Sequence, residues 1–480
     1  MMKNKLLKSA YSPEKFREQG HRLIDELADH LDSTLHGRSS KVMQWNLPED
    51  EYAYWKEFLV HGKPDLMFTE VLKHTTHVHH PRFLGHQISP TAPLGSLAGL
   101  IGSLLNNGMA VYEMGMAPSA IERVITEFIC SKIGYDTNAR GFLTSGGTLA
   151  NLTALLSARK AKVEHNVWRE GQVQNLGIMV SEEAHYCVDR AARIMGLGEQ
   201  GIIKIPVTDQ LSINIESLEE AYAIASRKGI KVFAIVGSAP STASGIYDNL
   251  SEIAKFAKKH DLWFHVDGAH GGAAIFSPSY RYTVHGIDEA DSIVIDGHKM
   301  MMMPSITTAL LYKDGNHSYE TFNQKADYLL VQSKEEDWYN LAKRTFECTK
   351  NMMSIQWFAL LKMYGEGIFD EFVTTLYDLG TKFGELIVAD PMFEIAITPM
   401  SNIVCFRYLG TSKSSNELNR LNEQIRQDIL EDGEFYIVQT KIKGIHYLRT
   451  TIMNPFTTTA ELNQLLTLIK KKATLILTRN

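Results

Sequence analysis

The 480-residue chain is poor in cysteine and carries no excess of basic charge. Its few cysteines lie far apart and form no CxxC pair, which favours a reducing compartment, the cytoplasm. They are Cys130, Cys187, Cys348 and Cys405. Lysine and arginine number 49 against 55 aspartates and glutamates, so the net charge is −6 and no nucleic-acid partner is expected.

Long apolar runs are also missing. The longest, residues 92–105, is shorter than the roughly 20 residues that a membrane helix needs, and it contains glycine and serine. The basic residues 1–5 are followed only by Leu6 and Leu7 before Lys8, which leaves no apolar core for a signal peptide. Neither a membrane span nor secretion is expected.

No repeat and no proline-rich or serine-rich linker divides the chain, and its length predicts more than one packed unit. The N-terminal segment has the pattern of an amphipathic helix that Ser12 caps and Pro13 begins. One face of this helix is apolar and carries Leu23, Ile24, Leu27 and Leu31. This stripe suits either the chain's own domain or a partner subunit.

From residue 141 to residue 312, short apolar runs alternate with helical stretches such as 149–160 and 250–259. The expected strands are residues 177–180, 202–207, 230–236, 262–266 and 292–295. The runs are apolar on both faces, which is typical of a parallel sheet covered on both sides. Beyond Gly365 the pattern loosens, and candidate strands at 403–408 and 445–449 predict a smaller C-terminal domain.

Two of these runs end in residues that suggest chemistry. Ligands of open α/β sheets bind beyond the carboxyl ends of the strands. Asp267 closes the run 262–266, and Lys299 follows the run 292–295 and precedes four methionines. Apolar surroundings would lower the pKa of the Lys299 amine and make it a nucleophile toward a carbonyl. An Asp267 that merely caps a turn and a solvated Lys299 are the simpler alternatives.

An aspartate opposite a lysine is the pair that pyridoxal phosphate requires, because the lysine binds its aldehyde and the aspartate keeps its ring nitrogen protonated. A phosphate site is available at residues 144–148, Thr-Ser-Gly-Gly-Thr, directly before a predicted helix. Glycine N–H groups, hydroxyls and a helix N-terminus all favour an anion. The turn lacks the motifs of nucleotide and dinucleotide sites.

Three motifs together carry a family resemblance: HVDGAHGG at 265–272, DSIVIDGHK at 291–299 and TSGGTLAN at 144–151. Over residues 80–455 the chain resembles the pyridoxal-phosphate-dependent group II amino-acid decarboxylases, which act on aromatic amino acids, histidine, glutamate and diaminobutyrate. The resemblance implies an α/β fold of the aspartate-aminotransferase type (fold type I), whose large domain has a mainly parallel sheet. The implied regions are an N-terminal helical dimerisation segment, a pyridoxal-phosphate-binding domain and a small α+β domain, at residues 1–84, 85–355 and 356–480.

The resemblance also implies roles for matching residues. Lys299 would bind the cofactor aldehyde covalently, and Asp248 would support the segment around Thr242 from behind. The implied contacts are His185, Thr242, Asp267 and Ala269 for the cofactor ring, and Gly147, Thr148 and His298 for its phosphate. A helix-capping role for His185 and a packed core position for His298 remain simpler alternatives.

The family has a mobile loop, donated across a homodimer, whose tyrosine protonates the product. Tyr328, in residues 322–328, has the matching spacing, although a surface aromatic would look the same. Arg449 matches an arginine that contacts a substrate carboxylate in glutamate decarboxylases, and Gln87 resembles a glutamine near the same carboxylate. The resemblance therefore implies a homodimer with shared active sites, swapped N-terminal helices and a small amino-acid substrate.

The expected reaction is decarboxylation of an L-amino acid to its amine and carbon dioxide. An oxidative aldehyde synthase, an aminotransferase or a lyase would use the same cofactor and remains possible. His270 stands where relatives often have Tyr or Trp, and Met300 where Trp is common, so the substrate stays open. A metal hydrolase is the alternative from another class, with the histidine cluster at residues 74–80 as ligands.

Overall fold

The computed structural model describes residues 4–322, 337–410 and 414–479. Its strands are β1 Arg140–Thr144, β2 Leu176–Ser181, β3 Ile202–Ile205, β4 Lys231–Ser238, β5 Trp263–Asp267, β6 Ser292–Asp296, β7 Thr308–Tyr312, β8 Phe393–Ile395, β9 Ile403–Tyr408, β10 Val438–Ile442 and β11 Ile445–Thr451.

The helices fall into three groups along the chain. Before the first strand lie α1 Lys5–Ala10, α2 Pro13–Leu35, α3 Pro48–His61, α4 Met67–Lys73, α5 Pro93–Leu105, α6 Tyr112–Gly115 and α7 Ala117–Ile133. Between the strands of the large sheet lie α8 Gly147–Lys162, α9 Val167–Glu170, α10 Tyr186–Ile194, α11 Leu218–Arg227, α12 Leu250–Lys259 and α13 Gly297–Met300. Then follow α14 Asn316–Glu320, α15 Ser354–Tyr364, α16 Gly367–Val388, α17 Ser415–Asp432 and α18 Thr459–Arg479. No helix in the described ranges has both the length and the apolar character needed to cross a membrane.

The large sheet has seven strands in the order β1-β7-β6-β5-β4-β2-β3. Strands β2 to β6 pair in parallel, and β7 runs antiparallel to both of its neighbours, β1 and β6. Every residue of β5 and β6 is buried, because helices cover both faces of the sheet. The expected α/β fold with a mainly parallel sheet is thus confirmed.

The register of this sheet collects polar residues at one edge. Ser238, the last residue of β4, pairs with Asp267, the last residue of β5. Asp267 in turn lies opposite Val294, so β6 continues two residues further and ends at Asp296. Two carboxylates therefore lie side by side at the carboxyl edge of the sheet, where ligands of such folds bind.

Local sequence signals account for most element boundaries. Helix α12 and strand β9 span the predicted residues 250–259 and 403–408. The strand expected at 202–207 ends earlier, at Ile205, because Pro206 lacks the N–H that a ladder needs. Helix α8 begins two residues before the prediction, since Gly147 already adopts helical geometry.

The predicted N-terminal helix is α2, and the Ser12 hydroxyl accepts the Lys15 N–H at 3.2 Å as its cap. Its apolar stripe is only partly covered by the described chain. Ile24 and Leu27 remain 42% and 41% exposed. That exposure favours the partner-subunit interpretation of the stripe.

The C-terminal region forms a second sheet, antiparallel, in the order β10-β11-β9-β8. Helices α16, α17 and α18 pack on it around buried apolar residues such as Phe383, Phe406 and Ile469. This is the small α+β unit that the resemblance implies. The boundaries at residues 84/85 and 355/356 stay predictions.

A buried ion pair supports the strand that leads to the phosphate turn. Lys350 donates to the carboxylate of Glu122 on α7 and to the backbone carbonyl of Leu143 on β1. The same Glu122 oxygen accepts the N–H of Leu143 at 3.0 Å. Both side chains are almost fully buried, so each charge depends on the other.

We predict that Lys350→Met destabilises the protein by about 3–5 kcal/mol, because it leaves the Glu122 carboxylate buried without its cation. Chemical unfolding curves would measure the effect. Lys382→Met is the matched control, since its pair with Glu385 lies on the surface and contributes about 1 kcal/mol or less. Equal unfolding midpoints for the two variants would contradict the role of the buried pair.

Candidate active site

A cavity of about 350 Å³ opens at the carboxyl edge of β4, β5 and β6. It gathers residues from five separate segments that the sequence motifs had singled out. These lining residues are Gly147, Thr148, His185, Thr242, Asp267, Ala269, His298 and Lys299. The doubly covered parallel sheet brings them together, because the loops that follow its strands all emerge on one side.

Lys299 does not have the apolar environment expected from its neighbouring methionines. Its Nζ lies 2.8 Å from Oδ2 of Asp296, which is itself almost fully buried. Burial lowers the pKa of the Lys299 amine, but the carboxylates of Asp296 and Asp267 outweigh burial, so the pKa is raised. The expectation of a lowered pKa was therefore wrong for the protein without cofactor. The cause is Asp296, to which the sequence analysis gave no role.

Asp296 also connects the lysine to the phosphate turn. Its Oδ1 accepts a hydrogen bond from the Thr308 hydroxyl. A Cβ on Gly147 would lie 3.1 Å from both Asp296 oxygens, a tight contact that would require the carboxylate to shift by a few tenths of an ångström. Asp296 ends an apolar run, as Asp267 does, and that signal could have identified it.

The turn at 144–148 has the geometry of an anion site. Gly146 has φ +105°, a conformation that favours glycine, and its carbonyl accepts the N–H groups of Leu149 and Ala150. The N–H groups of Gly147 and Thr148 therefore precede the hydrogen bonds of α8, and the positive end of the helix dipole adds to them.

Glu347 holds this turn from outside. One of its carboxylate oxygens accepts the Thr144 hydroxyl, the Ser145 N–H and the Ser145 hydroxyl at 2.8, 3.0 and 2.8 Å. Burial raises the pKa of Glu347, but the hydrogen bonds from Ser145 and Thr144 outweigh it, and the pKa is lowered. Nothing in the sequence indicated this contact, because Glu347 lies about 200 positions from the turn.

Two of the three cavity histidines, His185 and His298, are held by backbone groups. Nδ1 of His185 accepts the Cys187 N–H at 3.3 Å, so this residue caps α10 and lines the cavity at once. Burial lowers the pKa of His185, which keeps the imidazole neutral. His298 donates from Nδ1 to the Thr307 carbonyl at 3.0 Å, and its Nε2 lies 3.7 Å from Asp296.

Asp248 lies behind the cavity rather than in it. Its two oxygens accept the N–H groups of Ile213 and Ser238 at 2.7 and 2.8 Å. Burial raises its pKa to about 6. Because Ser238 pairs with Asp267 in the sheet, Asp248 fixes the end of β4 against the residue that faces the cavity.

Two predicted residues are not among those that line the cavity. Arg449 lies on β11 and Gln87 precedes α5; both are at least half-buried. Arg449 Nε and Nη2 and Gln87 Nε2 have no hydrogen-bond partner within the described ranges. Arg449 is close enough to His270 and His86 to lower their pKa values. Tyr328 lies outside the described residues.

The histidines at 74–80 do not converge. His74 faces the carboxylates of Glu51 and Glu70, His79 Nε2 contacts the Thr91 carbonyl, and His80 Nε2 contacts the Ser39 carbonyl. His77 differs from these three: its Nδ1 has no hydrogen-bond partner in the described ranges, and its ring packs edge-on against that of His30. The four imidazoles thus face different groups, and no cluster of metal ligands among the described residues includes them, which does not favour the metal hydrolase.

A group of possible metal ligands does occur in the cavity itself. Ligand atoms of His185, Cys187 and Asp267 lie within 4.8 Å of one another. A metal would need the Cys187 thiolate, whereas burial strongly raises the pKa of this thiol. Pyridoxal phosphate fits the same residues better, since the cavity offers an amine, a carboxylate beside it and an anion-binding turn without a Cβ at Gly147.

Comparison with known proteins decides the family. A model described as the pyridoxal-dependent decarboxylase conserved domain matches residues 67–409, well over half of the chain. The chain belongs to this family. The decarboxylase is 26% identical to the aromatic-L-amino-acid decarboxylase of Bacillus atrophaeus, with 96% of each chain covered. It is 27% identical to the L-2,4-diaminobutyrate decarboxylase of Acinetobacter baumannii, over 82% of this chain and 80% of the relative.

The fold agrees with this assignment. Mouse CSAD in its apo form superposes with a TM-score of 0.88 over 96% of this chain and 99% of its own, at 21% identity. The decarboxylase is therefore a pyridoxal-phosphate-dependent enzyme that decarboxylates amino acids. The implied family, fold and cofactor are confirmed.

We predict that Asp296→Asn moves covalent cofactor binding to lower pH. The amine must lose its proton to attack, and Asp296 raises the pKa of Lys299, so removal of that charge lowers the pKa. The measurement is the rate at which apoenzyme takes up pyridoxal phosphate, followed by absorbance across pH.

The control for this experiment is Asp291→Asn. Asp291 directly precedes β6, at the end opposite Asp296, and its carboxylate accepts the Phe264 N–H at 2.7 Å. An asparagine oxygen can still accept that hydrogen bond. Its pH profile should stay at the wild-type position. An unshifted Asp296→Asn profile would show that another group sets the protonation of Lys299.

Proposed function

We propose that the decarboxylase converts an L-amino acid into its amine and carbon dioxide in the cavity at the edge of β4–β6, with Lys299 as the attachment point of the cofactor. One observation carries the proposal. Lys299, two neighbouring carboxylates and the N-terminal turn of α8 line the same cavity.

Bound pyridoxal phosphate supplies the electron sink that makes loss of carbon dioxide possible. The chain's own residues prepare its site. Asp267 would hold a proton at the ring nitrogen, and the neutral imidazole of His185 would lie beside the ring. Thr148 and the N–H groups of the turn would hold the phosphate, and Lys299 would supply the amine for covalent attachment.

The fate of the product carbon separates this reaction from its alternatives. Tyr328 is proposed to deliver the proton to that carbon. In an oxidative aldehyde synthase, oxygen would react there and the amine would be lost. Retention of the amine with one carbon dioxide per turnover therefore identifies the simple decarboxylation.

The substrate side chain is left open by the relatives, whose names include both aromatic amino acids and diaminobutyrate. Arg449 and Gln87 are proposed to bind a substrate carboxylate. Their buried, unpartnered donor groups among the described residues support this role, because such groups are costly without an acceptor. The cytoplasmic location stays a prediction.

We also propose a homodimer with shared active sites. Besides the stripe on α2, helix α5 exposes five large apolar side chains, Leu97, Leu100, Ile101, Leu104 and Leu105. Apolar patches of this kind mark interfaces. The segment before α5 contacts the region after β6 that carries Lys299. The backbone N–H groups of Ser89 and Ala92 donate to the carbonyls of His298 and Met302, respectively. A partner on α5 would therefore border the cavity.

Lys299→Ala should lower carbon dioxide release by roughly a thousandfold or more, as loss of a catalytic nucleophile does. Borohydride reduction of the wild-type holoenzyme should add the mass of the reduced cofactor to the peptide that contains residue 299. Lys313→Ala, on the surface beside β7, should behave as wild type. A colourless holoenzyme without this mass gain would refute the proposal.

The double variant Ile24→Asp with Leu27→Asp should be monomeric in light-scattering measurements, because it buries two charges in the proposed apolar interface. Asp25→Asn with Asp29→Asn changes two charges on the exposed polar face of the same helix and should remain dimeric. A dimer in both cases would mean that the α2 stripe is not the interface.

A further inference from the structure

His270 is a cavity residue to which the proposed chemistry gives no role. It follows Ala269 in the loop after β5 and lines the cavity together with Lys299 and Asp267. Only 3% of it is exposed. Its ring nitrogens can each donate or accept a hydrogen bond, so the position of its proton decides what it presents to a ligand.

The small sheet fixes that proton. Asn402, directly before β9, is fully buried, and its Nδ2 donates to the Ile452 carbonyl at 2.8 Å. A carbonyl cannot donate, so the amide turns its nitrogen to Ile452 and its oxygen to His270. His270 Nε2 lies 2.8 Å from this oxygen and must carry the hydrogen.

The other nitrogen of His270 is consequently an acceptor. Burial lowers the pKa of His270 to about 3, and the positive charges of Lys299 and Arg449 lower it further. The hydrogen bond to Asn402 and the charge of Asp296 raise the pKa but do not compensate. The neutral ring has its one proton on Nε2, and Nδ1 carries a lone pair. No described residue donates to Nδ1, although this atom is buried.

A buried acceptor without a donor is unfavourable, and the cavity is the place from which a donor can come. The phosphate and the α-carboxylate are acceptors and cannot serve. In the proposed function Asp267 would accept the ring N–H of the cofactor, and the α-amino nitrogen would be used for attachment to the cofactor. The candidate donors that remain are a cavity water, the ring hydroxyl of the cofactor and groups on the substrate side chain; of these, only the last would make binding depend on the substrate.

We propose that His270 determines substrate specificity: its Nδ1 accepts a hydrogen bond from an O–H or N–H group on the side chain of the amino acid. The inference rests on the proposed function, because it presumes an amino acid in this cavity. The enzyme then prefers a side chain with a donor over one of the same shape without it.

Amines of the product type test this preference without turnover. Dissociation constants are measured from the absorbance of the holoenzyme for three matched pairs. They are tyramine and 2-phenylethylamine, 1,3-diaminopropane and butylamine, and ethanolamine and propylamine. In at least one pair the wild-type enzyme should bind the member with the donor about tenfold or more tightly, the usual effect of a buried hydrogen bond.

Two variants separate the acceptor from the fold. His270→Gln can keep the bond to Asn402 but leaves no acceptor at the Nδ1 position. The ratio of the two dissociation constants in the discriminating pair should therefore fall to about twofold or less. His270→Asn places an amide oxygen near the Nδ1 position and should retain part of the preference. The unfolding midpoint should match wild type in His270→Gln and fall in His270→Asn, which leaves the buried Asn402 oxygen without its donor. Cofactor uptake should match wild type in both.

Two results would overturn the inference. One is the absence of any preference for the amine with a donor in the wild-type enzyme, which a cavity water on Nδ1 would produce. The other is an unchanged ratio of dissociation constants in His270→Gln. If the ratio responds but no L-amino acid releases carbon dioxide, only the proposed reaction fails. If carbon dioxide is released and the ratio does not respond, only the role of His270 fails.

Discussion

The pairing of Lys299 with Asp296 is the interaction on which the cavity depends. A lysine ammonium in a largely buried position needs a compensating charge, and the Asp296 carboxylate at 2.8 Å provides it. Asp296 reaches this position because β6 extends two residues beyond the last residue of β5. Gly147 completes the arrangement, since a Cβ there would make a tight 3.1 Å contact with both oxygens of the carboxylate. The site is thus a consequence of strand register and of one missing side chain.

Sequence periodicity and strand-end residues identified Asp267, Lys299 and the turn at 144–148, whereas the other cavity residues were implied only by the family resemblance. The runs that became β5 and β6 were recognisable because they are apolar throughout, and Asp267 and Lys299 were recognisable because they follow such runs. The raised pKa of Lys299 could not be predicted from its methionine neighbours. It depends on how the chain turns between Asp296 and Lys299, and sequence spacing does not report that geometry.

Contacts between segments that are distant in the chain could not be predicted from the sequence either. Glu347 and Lys350 both act on the end of β1, and neither carries a local pattern that predicts it. Glu347 orients the phosphate turn, and Lys350 neutralises the buried Glu122 beside it. The segment that contains both residues therefore determines how the cofactor's phosphate would be received, although it lies far from the turn in the chain. Only the folded arrangement shows such a dependence.

The small sheet influences the cavity in a similar, indirect way. Every described residue that lines the cavity belongs to the region up to Ile306, so the C-terminal region contributes none of its own. Asn402 nevertheless sets the proton on His270, because the Ile452 carbonyl fixes the orientation of its amide. A change at Asn402 would alter the hydrogen-bonding character of the cavity while Lys299 and Asp267 keep their contacts. Substrate preference and covalent attachment can therefore vary separately in this fold.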